Sequence, residues 1–317
     1  MNNVMISQFT ISLPNGSQFY ANGRQQIPVL ITIQKQEFIQ SVGWRNVDLN
    51  NEERGSVTVR EINQSTMPSG WSVDTLPNEF TKGIRGLSVD ENRENLKPPL
   101  PTPYAGAERI FRYLRSSVIN TRIFMAEVTM QYRDDNNQIQ RRVITTSFNE
   151  DGIIFSSNIT LRPLQPLRFL ASELNLDTDI GHSRSDYKGH WAEVMVYYWT
   201  LPSGVRVHSD SVSNVGGTLT RNSLRVCFDS NLRTAGWMAR NRTTLRVNQI
   251  RTNNSSALVN LRNGHGDIRG FIYYNNYHQQ NVHINGQVFI DIIDNFGNDH
   301  HFTLRVMNNQ NLVIGNR

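Results

Sequence analysis

Cysteine is nearly absent from this chain of 317 residues, which contains Cys227 alone. A single thiol excludes an intramolecular disulfide, so no such bond contributes to the stability of the fold. Cys227 lies in the apolar run 224–228, which predicts a strand with Val226 and Phe228 on one face and Cys227 on the other. A reactive thiol needs an activating setting with a nearby histidine. We therefore predict that Cys227 has no catalytic role.

Long apolar runs are also missing, and none approaches the roughly 18 residues of a membrane-spanning helix. The chain begins Met-Asn-Asn-Val-Met-Ile-Ser-Gln, which contains neither the basic segment nor the apolar core of a secretory signal. We expect cytoplasmic synthesis without a Sec signal. If the protein acts outside the cell, we expect lysis or a dedicated non-Sec machine to release it.

None of the common catalytic or cofactor-binding motifs occurs. The chain lacks Gly-x-Ser-x-Gly, a P-loop, Gly-x-Gly-x-x-Gly and His-Glu-x-x-His. One alternative stays open, because His278 and His283 could approach His300 or His301 near Asp299 and form a metal site. Histidines on surface loops are the commoner arrangement. The sequence therefore predicts a protein that is not an enzyme and that has no cofactor or metal.

Charge is sparse as well. Asp, Glu, Lys and Arg make up 19% of the chain, and the formal net charge is +5. The densest basic groups are Arg141-Arg142 and the arginines at 109, 112 and 115. A nucleic-acid interface needs such charges concentrated on one face. We interpret these groups as solvated strand and loop positions and predict no nucleic-acid partner.

Alternation of apolar and polar residues is what the sequence has in abundance. In the stretch 20–34, the turn pair Asn22-Gly23 precedes branched apolar residues at every second position from Ile27 to Ile33. The same pattern predicts strands at 8–13, 56–60, 124–132, 139–145, 153–161, 193–200, 223–228, 244–250, 257–261, 270–274, 287–293 and 302–307. Strands at this spacing, with Gly, Asn and Asp between them, predict an all-β fold of antiparallel β-sandwiches with little helix.

Two segments interrupt this pattern. Residues 107–116 place Ile110, Phe111 and Leu114 at helical spacing and predict one short helix. Residues 95–103 contain four prolines and are expected to be extended. We interpret this Pro-rich segment as a domain linker. A loop over a sandwich is the second interpretation, and a ligand for a partner's aromatic groove is the third.

A further proline-containing segment, 161–167, lies near the middle of the chain, and no proline follows Pro202. These shifts in composition predict two tandem domains of ordinary size. The first is an N-terminal β-sandwich of residues 1–165 that includes the Pro-rich segment, and the second is a C-terminal β-sandwich of residues 166–317.

Residues 6–34 carry a resemblance to a known family. The features are the first strand, the Tyr-Ala-Asn-Gly turn at 20–23 and the alternating strand at 27–33. The Asp-Asn-Phe-Gly-Asn turn at 294–298 is a further similar feature. Together they resemble the bacterial immunoglobulin-like (Ig-like) domains of the invasin and intimin type. The resemblance implies Ig-like modules used for display or binding, and it implies no catalytic residue.

Aromatic side chains cluster in two predicted strands of the second domain. The candidate binding surface consists of Tyr197, Trp199, Tyr273, Tyr274 and Tyr277. Tyrosine and tryptophan among Asn and Gln suit carbohydrate stacking or a protein interface. The alternative, which we favour, is that one face of each strand fills the core while the tyrosine hydroxyls reach the surface.

These observations favour a non-enzymatic protein that binds other protein chains or assembles with itself through its sheet edges. Edge strands rich in Asn, Gln, Thr and Ile with few lysines leave backbone groups open to pairing. One alternative is a secreted or cargo toxin, receptor-binding or pore-forming, for example insecticidal. Its candidate membrane hairpin is 121–132 with 139–147, although Arg141-Arg142 argue against insertion. The other alternative is a carbohydrate-binding module that recognises a glycan or a cell surface.

Overall fold

The structure is a computed structural model that describes residues 3–64, 66–86, 106–134, 136, 138–147, 155–251, 256–276, 284–308 and 311–317. The Pro-rich segment 95–103 and three residues named above, Tyr277, His278 and His283, lie outside these residues. The interpretations of that segment therefore stay predictions.

Most described residues lie in β-strands, which confirms the all-β prediction. Within the described residues, the helical segments are α1 (Asn51–Ser56), a 3-10 turn (Ala171–Glu173) and α2 (Val247–Ile250). None of the described helices is long and apolar enough to span a bilayer. The chain divides into two compact units, unit 1 (Met1–Pro166) and unit 2 (Leu167–Arg317).

Unit 1 contains two sheets of five strands each. Its strands are β1 (Val4–Ser12), β2 (Gln18–Tyr20), β3 (Ile27–Ile39), β4 (Gly43–Val47), β5 (Thr58–Glu61), β6 (Trp71–Asp74), β7 (Glu108–Ser116), β8 (Arg122–Arg133), β9 (Ile139–Thr145) and β10 (Ile159–Leu164). The first sheet has the order β1-β3-β7-β6, with β4 also paired to β3. The second has the order β2-β10-β8-β5, with β9 paired to β8.

One apolar core lies between these two sheets. The first sheet contributes the inward-facing residues predicted on β3, including Ile31, and the second contributes Phe124 and Val128 of β8. Trp71 packs beside Phe124, with ring centroids 4.7 Å apart. Burial of large apolar side chains such as these is the main stabilising term of the unit. Unit 1 is therefore sandwich-like, with a single core.

The predicted helix at 107–116 is wrong, because this segment is strand β7. Its inward positions alternate and include Ile110, Arg112 and Leu114, all of them buried. Arg112 occupies a core-side position because its Nε donates a hydrogen bond to the carbonyl of Val57 at 2.8 Å. A buried arginine interrupts the apolar pattern, so the strand period of two was hidden in the sequence.

At Asn22-Gly23 the chain bends between β2 and β3, which lie in different sheets, so the pair does not close a two-residue hairpin. Gly23 has a φ of 72°, and the side-chain oxygen of Asn22 accepts a hydrogen bond from the N–H of Gln25 at 2.8 Å. The buried side chain of Gln25 accepts from the N–H of Tyr20 and donates to the carbonyl of Thr81 at 2.7 Å. The turn therefore also holds the loop that follows β6.

Unit 2 is built around a sheet of seven strands, the central sheet, with the order β11-β12-β19-β16-β15-β14 and β20 beside β15. A small sheet has the order β13-β21-β22-β23, and β17 pairs with β18. The strands are β11 (Asn175–Ser185), β12 (Trp191–Thr200), β13 (Val207–Val215), β14 (Leu219–Arg221), β15 (Leu224–Asp229), β16 (Arg233–Met238), β17 (Leu245–Arg246), β18 (Leu258–Val259), β19 (Ile268–Asn275), β20 (Ile284–Asn285), β21 (Gln287–Asp294), β22 (Asp299–Met307) and β23 (Asn311–Asn316).

The central sheet is buried on both faces. Its first core lies against the small sheet and contains Trp199 and Ile272. Its second core, on the opposite face, contains Tyr198 and Phe271 together with Ile250 of α2. Successive residues of a strand point to opposite faces. The adjacent pairs on β12 and β19 therefore serve different cores, and unit 2 has three layers.

A β-bulge on β15 overturns the prediction that Val226 and Phe228 share a face. Val226 is opposite Gly236 and Phe228 is opposite Ala235, so Cys227 is an extra residue between them. Val226 therefore packs in the second core, whereas Cys227 and Phe228 pack in the first. Burial raises the pKa of the Cys227 thiol to about 12, which keeps it protonated at neutral pH.

The strand predicted at 244–250 is also wrong over most of its length. Only β17 is extended there, and the helical turn α2 follows at once. Val247 and Ile250 are three residues apart and both face the second core, which a helical turn permits. The side chain of Gln249 accepts a hydrogen bond from the N–H of Arg246 at 2.9 Å.

Candidate interaction surface

The central sheet ends at β11, a strand of 11 residues whose strand partner, within the described chain, is β12 alone. Three rows of residues run from β11 across β12 to β19 on one face, because opposite residues of antiparallel strands point to the same side. The rows are Leu176–Trp199–Ile268, Thr178–Tyr197–Gly270 and Ile180–Met195–Ile272. Trp199, Ile268 and Ile272 belong to the first core, so this is the face toward the small sheet.

Exposure rises along these rows toward the sheet edge. Ile272 is buried and Met195 is half-buried, whereas Ile180 is 55% exposed. Leu176 is 54% exposed in the same way. Strands of the small sheet pack on β15, β16 and β19, so its cover is concentrated away from β11. We call Leu176, Thr178, Ile180, Met195 and Tyr197 the β11 face.

Tyr197 forms the aromatic part of the β11 face. Its ring stacks on Trp199 with centroids 5.6 Å apart, which covers one side of the tyrosine ring. Burial, together with Tyr274, raises the pKa of Tyr197 to about 12, and the two phenols are hydrogen-bonded. Tyr197 is therefore a neutral group at neutral pH that adds apolar surface to the edge.

The opposite face of β11 is acidic and is already paired within unit 2. Asp177 and Asp179 both bind the guanidinium of Arg262, and the contact from Arg262 Nε to Asp179 is 2.9 Å. His265 Nε2 lies 3.2 Å from Asp177. The hydrogen bond from Arg262 lowers the pKa of Asp177. Both carboxylates are paired within unit 2 although each stays partly exposed, so the apolar side of the strand is the β11 face.

Arg269 supports that network from below. Its guanidinium is buried, and it donates to the carbonyls of His265 at 2.8 Å, Arg242 at 3.0 Å and Arg262 at 3.2 Å. A guanidinium offers five donors in a fixed plane, so one side chain can hold three backbone segments. These hydrogen bonds hold the loop that carries Arg262 and His265 against β11.

The predicted aromatic surface is only partly brought together. Tyr197 and Tyr274 are half-buried neighbours, whereas Trp199 and Tyr273 are 3% and 1% exposed and fill the first and second cores. Tyr277 lies outside the described residues. The two buried rings present no surface to a ligand in this structure.

Sequence reasoning missed Leu176 and Ile180, the most exposed apolar residues of the β11 face. The segment 175–180 looks like a loop because Asn, Asp and Thr dominate it. A usable signal was present, since Leu176, Thr178 and Ile180 alternate with the two aspartates.

A buried Asp–His pair elsewhere in unit 2 resembles part of a catalytic site, yet its contacts are structural. Asp294 accepts hydrogen bonds from the N–H groups of Phe296 and Asn298 and lies 3.0 Å from His300 Nε2. The other ring nitrogen of His300 accepts from the N–H of Phe169 at 3.3 Å. One ring nitrogen of His300 therefore helps to close the hairpin turn, and the other ties that hairpin to the segment at Phe169.

The alternative metal site is not assembled in the part of the chain that the structure describes, where no group of three His, Cys, Asp or Glu residues could hold an ion. His301 is paired with Asp291, 2.6 Å away, on the outer face of the small sheet. His278 and His283 lie outside the described residues.

The hairpin proposed for membrane insertion corresponds to β8 and β9. Its apolar face is part of the core of unit 1, because Phe124, Ala126 and Val128 are fully buried there. Releasing this hairpin would expose that core to water. The pore-forming alternative thus requires unit 1 to open.

No protein-family model matches this chain, and no curated protein matches it at a significant level.

Proposed function

We propose that this is a non-enzymatic interaction protein whose β11 edge pairs with a β-strand of another protein chain. A second copy of the chain is the first partner to consider, which gives self-assembly. One observation carries the proposal: within the described residues β11 pairs with β12 alone, apart from a hydrogen bond from the N–H of Asn260 to the carbonyl of Gly181, and apolar residues on one of its faces are half-exposed.

Strand addition would satisfy both properties of this edge. An incoming strand can form main-chain hydrogen bonds with the open side of β11, and its alternate side chains can cover the β11 face. Covering Leu176 and Ile180, each about half-exposed, would contribute roughly 1 kcal/mol per side chain. The alternation along β11 would fix the register, because a slip by one residue brings the acidic face to the same position.

We further propose that each unit contains an Ig-like sandwich, in line with the resemblance at residues 6–34, and that unit 2 adds a third layer on the other face of its central sheet. Support comes from the sandwich-like pairing of two sheets around a core in unit 1 and from the pairing of the central and small sheets in unit 2. The absence of catalysis is part of the same proposal. Its support is that Asp177, Asp294 and His300 each have local hydrogen-bond or ion-pair partners.

Light scattering over a concentration series of the purified chain tests the proposal. The variants Leu176→Lys and Ile180→Lys place charge on the β11 face, which opposes strand pairing. Leu232→Lys is the control, because Leu232 is also partly exposed and lies in the turn between β15 and β16 of the same central sheet, away from β11.

We expect the unaltered chain and Leu232→Lys to form oligomers as concentration rises, and the two β11 variants to stay monomeric. A chain that remains a monomer at every concentration contradicts self-assembly. Oligomers that persist unchanged in both β11 variants contradict the role of this edge.

A further inference from the structure

The hairpin of β3 and β4 in unit 1 ends in an exposed apolar tip that the proposed function does not use. Phe38, Ile39, Val42 and Trp44 are between 38% and 51% exposed. Four large apolar side chains thus face solvent within seven residues. We call this group the β3–β4 tip.

The tip projects beyond the neighbouring strands. Pairing of β3 with β7 ends at Ile33, and its pairing with β1 ends at Glu37, whereas its pairing with β4 continues to Ile39. A hydrogen bond from the N–H of Phe38 to the carbonyl of Asn3 is the last contact with the β1 side among the described residues. The tip is therefore a two-stranded projection beyond β1 and β7.

Its side chains are organised into a small apolar cluster. Phe38 and Trp44 are opposite each other, and their rings meet edge to face with centroids 5.6 Å apart. Ile39 and Val42 flank the turn, which is closed by a hydrogen bond from the N–H of Val42 to the carbonyl of Ile39. The ring contact holds both aromatic side chains at the tip rather than against the core.

The charged residues nearest to this cluster lie where the tip joins the sheet. Residues 38–44 contain no charged side chain, and Glu37 and Arg45 lie opposite each other just below. The next charged residue on β3, Lys35, is paired with Glu53 at 2.8 Å. At about 3.3 Å per residue, the tip extends roughly 10 Å beyond the Glu37–Arg45 level.

We infer that the β3–β4 tip inserts into the interfacial layer of a lipid bilayer. Tryptophan and phenylalanine with aliphatic neighbours are the side chains that favour this layer. Apolar segments that bind at this layer are usually buried to a depth of about 5–10 Å, which matches the length of the tip that has no charged residue. Glu37 and Arg45 compensate each other in charge at the headgroup level, so insertion is driven by apolar burial and needs no anionic lipid.

Sedimentation with phosphatidylcholine vesicles tests this inference on the full chain. The double variant Phe38→Ser/Trp44→Ser removes the aromatic half of the tip. Trp191→Ser is the matched control, because Trp191 has the same exposed fraction as Trp44 and lies in unit 2. We expect partitioning to fall roughly tenfold or more in the double variant and to stay within about twofold in the control.

Salt sharpens the test, because binding by the net charge of +5 would weaken as ionic strength rises. We expect binding through the tip to change by less than about twofold between low and high salt. The inference is overturned if the unaltered chain does not sediment with the vesicles, if the double variant binds equally well, or if salt abolishes binding.

A second measurement does not depend on a disruptive change. Brominated phosphatidylcholine quenches tryptophan that enters the bilayer, and Trp44→Phe keeps an aromatic ring at the tip. We expect quenching in the unaltered chain and in Trp191→Phe, and its loss in Trp44→Phe. Equal quenching in Trp44→Phe would overturn the inference. The inference would also be overturned if the double variant changed the oligomeric state and left vesicle binding unaltered. That result would identify a second copy of the chain as the partner of the tip.

Discussion

Unit 1 and unit 2 bury their apolar residues in different ways. Unit 1 has two sheets of equal size around one core, so each sheet has one buried face. Unit 2 has a seven-stranded sheet with a core on each face, and its second sheet has only four strands. The inequality of the two sheets in unit 2 leaves apolar residues of the larger sheet uncovered at β11.

The difference teaches where open surface arises in such units. In unit 1 the exposed apolar cluster lies at a hairpin tip, beyond the paired sheets. In unit 2 it lies along a sheet edge, where a layer of the unit ends. A protruding tip can insert into the interfacial layer of a bilayer, whereas a sheet edge can pair with another strand.

The largest expected loss of stability comes from removing one buried aromatic ring, either from the core of unit 1 or from the second core of unit 2. Phe124→Ala in unit 1 and Phe271→Ala in unit 2 each delete a fully buried side chain and should cost about 3–5 kcal/mol. Because the two residues belong to different cores, each variant should destabilise only its own unit. Urea unfolding followed by hydrogen-exchange mass spectrometry reports each unit separately. Equal destabilisation of both units by either variant would contradict separate cores.

Within unit 2, removing a buried carboxylate should lower the free energy of unfolding more than removing a partly exposed one. Both losses should be smaller than the loss caused by removing a core ring. Asp294→Ala leaves His300 and two backbone N–H groups without their acceptor and should cost about 3 kcal/mol. Asp291→Ala removes a half-exposed partner of His301 and Arg317 and should cost less than about 1 kcal/mol. Urea midpoints give both values, and similar losses would refute the distinction.

The smallest change concerns reactivity rather than stability. Cys227 has a pKa of about 12 because it is buried, so its thiolate is scarce from pH 7 to pH 9. A disulfide reagent should therefore label it only when unit 2 opens. Labelling should become faster in Phe271→Ala and stay unchanged in Phe124→Ala. Rapid labelling of the native chain would mean that the bulge on β15 exposes the thiol.

Much of the fold was predictable because many strands alternate clearly. The hairpins of β8 with β9 and of β21 with β22 lie where the sequence places them. Prediction failed where a single residue breaks the apolar alternation of its strand. Arg112 lies at a core position through its hydrogen bonds, and Cys227 shifts the alternation of β15 as an extra residue.

The candidate surface was less predictable for a physical reason. Strands buried on both faces, such as β12 and β19, place aromatic residues in two cores. Tyr198 and Trp199 therefore look equally available in the sequence although they face opposite directions. Leu176 and Ile180 become notable only when the limited extent of the small sheet is known. Such tertiary cover is not encoded in any local pattern.

The most direct test of the proposed function is the hydrogen exchange of β11 as a function of protein concentration. Strand pairing should protect amides of Asn175–Ser185 as oligomers form, while β13, the end strand of the small sheet, stays unchanged. Protection confined to β11, and absent in Ile180→Lys, is the predicted result. Oligomers that form without any new protection in β11 would show that another surface joins the chains.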